Sequence, residues 1–391
     1  MILKQLFDTK SSTYTYLISS GNGREALIID PVLENVNEYI NILKKLNLKL
    51  VKVIDTHIHA DHVTGASKLK DITKCSTIMG DHSPANTVEI KVKDDEYINL
   101  DNMSLNDADF QNEFTPTYSL GHLTLLGCSI PELIYIASRT GYDAVSPRLI
   151  TTGTGGEFSY SPIEKDIIQA TKNALEITGV KVNDIELASI SNKHDISSFE
   201  PIIELGANLG AKNLISSAWT SEKNDRNFII DKFSSICEIS KKYGLHVALE
   251  FPTFSRLTSL EEAVDIVRSS NQTNGGILID TLYMHMSRVD SSELDNLPSE
   301  WFKFIQVCDV APGIPDYHQG MIDIARHARL YLGEGCIDFA DIMDRLPPVD
   351  FCIELPNKNR VAELGYEEHA RRCLQSTKKT IASISDKLTT S

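Results

Sequence analysis

Several kinds of segment are missing from this 391-residue sequence. No apolar run approaches the roughly 20 residues that a membrane-crossing helix needs. The opening Met1-Ile2-Leu3-Lys4-Gln5 lacks the long apolar core of a secretion signal. The seven cysteines (Cys75, Cys128, Cys237, Cys308, Cys336, Cys352 and Cys373) are scattered, odd in number and without a Cys-x-x-Cys pair. That usage fits buried thiols in a reducing compartment and argues against a disulfide frame. Basic residues are scarce relative to acidic ones, 38 against 54, for a net charge of -16. An acidic surface repels phosphate backbones and anionic membranes, so neither a nucleic acid nor a membrane is an expected partner. The short cluster Lys44, Lys45, Lys49 and Lys52 reads as a solvated face. These absences together predict a soluble, cytoplasmic protein. The balance of 41% hydrophobic and 24% charged residues is that of an ordinary globular chain.

Two sections of different character follow one another. Residues 1–102 open with strand-like alternation at Thr13-Tyr14-Thr15-Tyr16-Leu17-Ile18, then an apolar run Ala26-Leu27-Ile28-Ile29-Asp30 that stops at Pro31. Helical spacing of apolar residues near Val36 to Leu46 leads to a buried type of strand, Leu50 to Asp55. Residues 103–116, with Asn106, Asp107, Asp109, Gln111 and Asn112, read as a polar linker. From residue 117 to 391, short apolar strands alternate with helices. The expected strands are 118–120, 144–151, 184–190, 213–218, 246–251, 276–280, 302–308 and 351–355. Helices are expected at 131–139, 164–177, 200–209, 226–243, 260–269 and 367–384. Eight such units over about 275 residues is the rhythm of a (β/α)₈ TIM barrel. An open doubly wound sheet fits less well, because no glycine-rich phosphate turn follows the first strand.

In such barrels the chemistry lies at the C-terminal ends of the strands. Glu250 ends Val247-Ala248-Leu249-Glu250, Asp280 ends Ile277-Leu278-Ile279-Asp280, and Glu354 ends Phe351-Cys352-Ile353-Glu354. Gln306 stands at the corresponding place on strand seven. Like charges converging this way resist ionisation without a cation between them. One acid alone would more simply cap its strand or pair with an arginine. Three at matching strand ends point to a metal cage, and hard oxygen ligands favour Mg or Mn over structural zinc. Arg326 and Arg329, in the loop after strand seven, are candidates to grip a phosphate or carboxylate, as alternatives to an ordinary helix surface. His122, His194, His246 and His285 are candidates to touch substrate, against the commoner structural role of a lone histidine.

The segment from about Tyr118 to Lys387 resembles the xylose-isomerase-like superfamily of sugar isomerases and epimerases. The resemblance is carried by Leu249-Glu250-Phe251-Pro252, Leu278-Ile279-Asp280-Thr281, Ile305-Gln306-Val307-Cys308-Asp309, Ile353-Glu354-Leu355-Pro356 and the loop Leu332-Gly333-Glu334-Gly335. It implies Glu250, Asp280, Gln306 and Glu354 as metal ligands, with Glu250 and Glu354 also as the catalytic acid/base pair. Gln306 and Tyr283 depart from the histidines that the sugar epimerases carry there. The implied function is a divalent-metal-dependent isomerase or epimerase working through an enediolate of a sugar, sugar phosphate or sugar acid. A lyase or dehydratase on the same cage is the alternative, since an enediolate can also expel a β-hydroxyl.

In the first section the buried strand runs into Thr56-His57-Ile58-His59-Ala60-Asp61-His62. A turn after a strand can aim His57 and His59 at one metal while Asp61 and His62 address a second position. With Ile29-Asp30-Pro31 upstream and Thr64-Gly65-Ala66 downstream, the stretch resembles the metallo-β-lactamase fold, in its persulfide dioxygenase branch. That resemblance implies residual Fe or Zn, and a persulfide dioxygenase or hydrolase activity as a further alternative. It covers about residues 1–102, and so predicts a truncated α/β module placed before the barrel. Half of an αββα sandwich has an apolar sheet face to cover, which predicts packing on the barrel or homo-oligomer formation through this module.

Overall fold

A computed structural model describes residues 2–8, 11, 13–21, 23–58, 63–83, 85, 88–93, 96–100, 103–105, 116–153, 155–158, 161–221 and 225–390. The chain divides into two compact units, residues 1–114 with 383–391, and residues 115–382.

The first unit is built on one six-stranded sheet in chain order. Its strands are β1 (Ile2–Asp8), β2 (Thr13–Ser19), β3 (Glu25–Ile29), β4 (Lys49–Ile54), β5 (Ser76–Gly80) and β6 (Ile90–Val92). β1, β2 and β3 pair antiparallel, whereas β3 to β6 run parallel. The parallel crossovers carry helices Val36–Lys45 and Ala66–Thr73. Their apolar sides pack on Leu17, Ala26, Ile28 and Val53, from one face of the sheet. Ile18, Leu27, Ile29, Ile54 and Ile78 fill the other face, as the period of two requires. There Ile98 and Leu100 pack against them, from β7 (Ile98–Leu100) in its hairpin with β8 (Met103–Leu105). The face expected to be open is thus covered in part by the unit itself. Of the stretch read as a linker, Met103–Leu105 form β8, and residues 106–115 fall outside the described residues.

The second unit closes eight parallel strands into a barrel. They are β9 (Tyr118–Gly121), β10 (Ala144–Ser146), β11 with β12 (Lys181–Val182, Asp184–Ile190), β13 (Asn213–Ala218), β14 (His246–Glu250), β15 with β16 (Gly275–Ile277, Ile279–Asp280), β17 (Phe304–Val307) and β18 (Asp350–Ile353). β18 pairs with β9, which completes the ring. All eight expected strands occur. The second is shorter than expected: Pro147 has no N–H to donate, so the strand ends at Ser146 and Arg148 makes only an isolated bridge to Glu186.

The outer helices begin and end where local chemistry directs. Ser129 and Glu132 form a capping box before Ile130–Thr140, with Pro131 in the first turn, and Gly141 closes that helix at φ 88°. Helix Lys358–Thr390 starts nine residues before the expected position and breaks its geometry at Gly365. Inside the ring, Leu187, Ile215, Ala248, Leu278, Phe304 and Cys352 form one packed layer. Among the described residues, no helix is long and apolar enough to cross a membrane.

Asp184, at the start of β12, is fully buried. Ser146 and Asn183 donate to its Oδ2, while Oδ1 has no donor. Burial raises its pKa to about 7. The folded chain therefore holds a proton that the unfolded chain releases near pH 4, and this site costs stability as pH rises between those values. Asp184→Asn should gain about 1–3 kcal/mol at pH 8, with the gain shrinking below pH 5. Urea denaturation at the two pH values measures it. A variant no more stable than the parent at pH 8 would mean that the carboxylate is ionised and satisfied.

Candidate active site

Two-residue periodicity builds the site from the barrel's interior layer. Ala248, Leu278, Phe304 and Cys352 point inward, and two residues further along the same strands stand Glu250, Asp280, Gln306 and Glu354. All four are buried. One oxygen from each of Glu250, Asp280 and Glu354 lies within 4.8 Å of the other two. The strand-end carboxylates singled out from the sequence are therefore brought together.

Arg329 enters the same cluster and is fully buried. Its Nη1 donates to Asp280 Oδ2 (2.8 Å) and to the Glu354 carbonyl (3.1 Å). Its Nη2 lies 3.0 Å from Glu354 Oε2, a charge contact without hydrogen-bond alignment. Nε donates to the Ala325 carbonyl (2.8 Å), and the Tyr283 ring lies 5.6 Å from the guanidinium carbon. The other carboxylate oxygens are differently engaged. Asp280 Oδ1 accepts from Leu282 N (2.8 Å), and Glu354 Oε1 accepts from Gln306 Nε2 (3.1 Å). Glu250 accepts no hydrogen bond among the described residues.

Burial, with the neighbouring charges of Glu354 and Asp280, holds the Glu250 carboxyl well above its usual range. Burial also raises Glu354 to about 8, against the lowering pull of Arg329. For Asp280 burial again raises the value while Arg329 opposes it.

A second buried ion-pair group adjoins the first. Arg148 bonds Glu186 (3.0 Å) and Glu157 (3.3 Å). Glu186 adds repulsion to both Glu250 and Glu354. Neither Arg148 nor Glu186 was singled out from the sequence. Glu186 sits mid-strand, where the register of β12 against β13 shifts between Ile185 and Ala188, and so escapes a search of strand ends. Arg148 follows the proline that ends β10.

Glu186, Glu250 and Glu354 form part of the wall of a pocket of about 300 Å³, together with Trp219, Phe254 and Tyr283. Lys193, His194 and Arg326 also line it. The other candidates do not. His122 is fully buried, its Nε2 against the Cys128 carbonyl and its Nδ1 accepting from Arg148 N. Burial lowers its pKa to about 4, so it is a neutral brace for Arg148 rather than a substrate contact. His246 begins β14, at the end of the barrel away from Glu250, where burial also lowers it to about 4. His285, on the short helix after β16, faces Cys336 (3.9 Å) and is not on the pocket. Arg329 is committed to the carboxylates, which corrects its reading as a free grip for substrate. The glycine-containing loop is positioned by Asp309, whose carboxylate accepts from the backbone N–H groups of Gly333, Gly335 and Ile337.

The donor set fits a divalent cation. Gln306 Oε1 is buried with no donor. Within the two buried ion-pair groups, five carboxylates (Glu157, Glu186, Glu250, Asp280 and Glu354) meet two guanidiniums, with Lys193 and Arg326 elsewhere on the pocket wall, and a cation between Glu250, Asp280 and Glu354 would offset their mutual repulsion.

In the first unit, Asp30 accepts from Thr56 N and Thr56 Oγ1 (both 2.7 Å), and Thr56 Oγ1 lies 2.9 Å from His57 Nδ1. His57, Asp55, Asp81 and His82 line a cavity of about 500 Å³. His59, Asp61 and His62 lie outside the described residues.

A closed parallel barrel with a carboxylate cage at its strand ends defines a class, and comparison with known proteins places the chain within it. Residues 134–377, more than half of the chain, match the xylose isomerase-like TIM barrel family, and the chain belongs to that family. Residues 8–96 match the metallo-beta-lactamase superfamily. The chain is similar to inosose isomerase of Bacillus subtilis (strain 168), 22% identical over 49% of this chain and 69% of that protein. It is 42% identical to the mitochondrial persulfide dioxygenase ETHE1 of Mus musculus over 20% of this chain. There it spans about a third of the relative's length, 32%. Among solved structures, the crystal structure of an IOLI protein with a bound zinc atom shares the barrel fold. Its TM-score is 0.57 at 18% identity, over 68% of this chain and 99% of that one.

Replacing Arg329 by Met leaves Asp280 and Glu354 buried without their cation, at a cost of about 3–5 kcal/mol. Thermal melts in chelator should show that loss. Added Mn²⁺ should raise the midpoint of Arg329→Met more than that of the parent, because the freed carboxylates gain the ion as partner. Midpoints that ignore Mn²⁺ in both proteins would exclude a cation from the cage.

Proposed function

We propose that this protein is a divalent-metal-dependent isomerase or epimerase acting on a sugar, sugar phosphate or sugar acid. The observation that carries the reading is the convergence of Glu250, Asp280 and Glu354 at the pocket floor, with a buried acceptor of Gln306 beside them. Mn or Mg suits this all-oxygen set, held by Glu250, Asp280, Gln306 and Glu354. Such an ion would supply Lewis-acid stabilisation of the negative charge that develops when a hydroxy-ketone loses its proton.

The chain's own groups divide the remaining work. Glu250 lines the pocket and accepts no hydrogen bond, so its carboxylate is the group to take the proton from the carbon beside the carbonyl. Glu354 is clamped by Gln306 Nε2 and Arg329, and its carboxyl returns a proton from a fixed direction. Trp219, Phe254 and Tyr283 supply apolar wall against a ring and exclude water from the exchanging proton. The family relationship and the similarity to inosose isomerase support a sugar as substrate class.

The test has two arms. Elemental analysis of the parent beside Glu354→Ala should find a Mn- or Mg-class ion in the parent and lose it in the variant. Iron or zinc retained by Glu354→Ala would move the chemistry to His57 and its neighbours and favour a persulfide dioxygenase or hydrolase activity. Incubation of candidate ketoses in deuterated water should then place deuterium at the carbon beside the carbonyl. Glu250→Gln should reduce that exchange by about 10²–10⁴-fold, the usual contribution of a positioned acid/base. Loss of water from the substrate, with no exchange into recovered starting material, would instead make the enzyme a dehydratase.

A further inference from the structure

The charges around the barrel pocket are unequally spent. Arg148 is matched by Glu157 and Glu186, and Arg329 by Asp280 and Glu354. Arg326 pairs with no carboxylate among the described residues, although it is half-buried at the end of helix His318–His327. It lines not only the pocket but also an adjoining cavity of about 520 Å³. Lys358 and His327 stand in the wall of that second cavity, with the uncluttered backbone of Gly155 and Gly156. Among the described residues, no aspartate or glutamate lines it. Lys358 likewise has no carboxylate partner among the described residues. In a chain of net charge -16, a cavity that holds Arg326 and Lys358 and, among the described residues, no acid is a local reversal of sign. It draws anions out of an otherwise repelling surface.

The two cavities share Leu123 and Arg326, so the basic wall stands next to the pocket that holds Glu250 and Glu354. A half-buried guanidinium left without a partner costs desolvation that a bound anion would recover. A neutral sugar offers it hydroxyl acceptors but no opposite charge.

We propose that the adjoining cavity is the seat of an anionic group on the substrate, a phosphate or a carboxylate, held by Arg326 with Lys358 in support. The inference rests on the proposed reaction only for where the reacting carbon lies. It narrows the substrate from sugars in general to acidic ones. Binding is charge-assisted, with the planar guanidinium offering two parallel N–H groups to two oxygens, and no bond is made or broken there.

The test uses the Mn²⁺-loaded full chain and three probes of similar size: glucose, gluconate and glucose 6-phosphate. Calorimetric titration at low salt should show one or both anions binding at least about tenfold more tightly than glucose, as charge-assisted contacts give. Preference for gluconate assigns the seat to a carboxylate, and preference for glucose 6-phosphate assigns it to a phosphate. R326Q should bring the anion to the level of glucose, K358Q should lose part of the preference, and added salt should weaken it in the parent. Thermal melts verify that both variants are folded, as expected for side chains with no structural partner. Glucose binding as tightly as both anions, or an anion preference intact in R326Q, overturns the proposal.

Proton exchange in deuterated water keeps this outcome apart from the fate of the reaction. Anion preference lost in R326Q, with no exchange on any probe or ketose, keeps the seat and removes the isomerase reading. Exchange on a ketose, with no preference for either anion in the parent or with that preference intact in R326Q, keeps the isomerase and removes the seat.

Discussion

The arrangement of the barrel's site depends on one buried guanidinium. Arg329 touches Asp280 on the sixth strand and Glu354 on the eighth, and through them it holds the two flanks of Gln306. A charge buried this completely is tolerable because its partners are charged and its Nε and Nη1 groups also reach backbone carbonyls. Its own position is fixed by short backbone bonds, from Arg329 N to the Pro356 carbonyl and from Asn357 Nδ2 to the Arg329 carbonyl. The loop after the seventh strand and the loop after the eighth are thus tied together at the point where the carboxylates converge. Asp309 performs a similar task one turn further out, gathering the N–H groups of the Gly333–Ile337 loop.

Arginine and cation have complementary places in this electrostatics. The guanidinium engages Asp280 and Glu354 and leaves the Glu250 carboxylate and the Gln306 carbonyl oxygen without a hydrogen-bond donor among the described residues. It reduces the repulsion among three carboxylates without abolishing it: burial raises Glu250, and Glu354 and Asp280 add to that rise. A cage assembled this way leaves clustered acceptor oxygens of the kind that suit a divalent cation. The Arg148, Glu157 and Glu186 group plays the equivalent part for the opposite wall, with neutral His122 bracing the Arg148 backbone.

Much of this was legible in the sequence because strand periodicity is rigid. An acid two residues beyond an inward-facing apolar residue has no direction to point except into the barrel mouth, and Glu250, Asp280, Gln306 and Glu354 all satisfy that rule. What escaped depended on departures from regularity. Glu186 lies at a register shift, and Arg148 lies beyond a proline that ends its strand early. Arg326 and Arg329 look equivalent at a spacing of three, yet the helix ends at His327, and the backbone turns Arg329 into the cage while Arg326 stays on the pocket wall. His246 shares a strand with Glu250, but from its start, and strand direction separates the two. In the first unit the closing of the second sheet face by Ile98 and Leu100 comes from a hairpin of three-residue strands, too short to leave a periodic pattern.

The alternation that joins the core layer to the cage also limits how such a protein can change over time. Between Ala248 and Glu250, or between Cys352 and Glu354, one inserted or deleted residue would exchange an inward side chain for an outward one. The carboxylate would then face the surrounding helices and an apolar neighbour would face the substrate. Length variation inside these strands is therefore barred, whereas the loops beyond them can lengthen at slight entropic cost. A lineage of such barrels can diversify by remodelling the segments around Arg326, Lys193 and the glycine-containing loop, while the spacing of each strand from its packed residue to its polar end stays fixed.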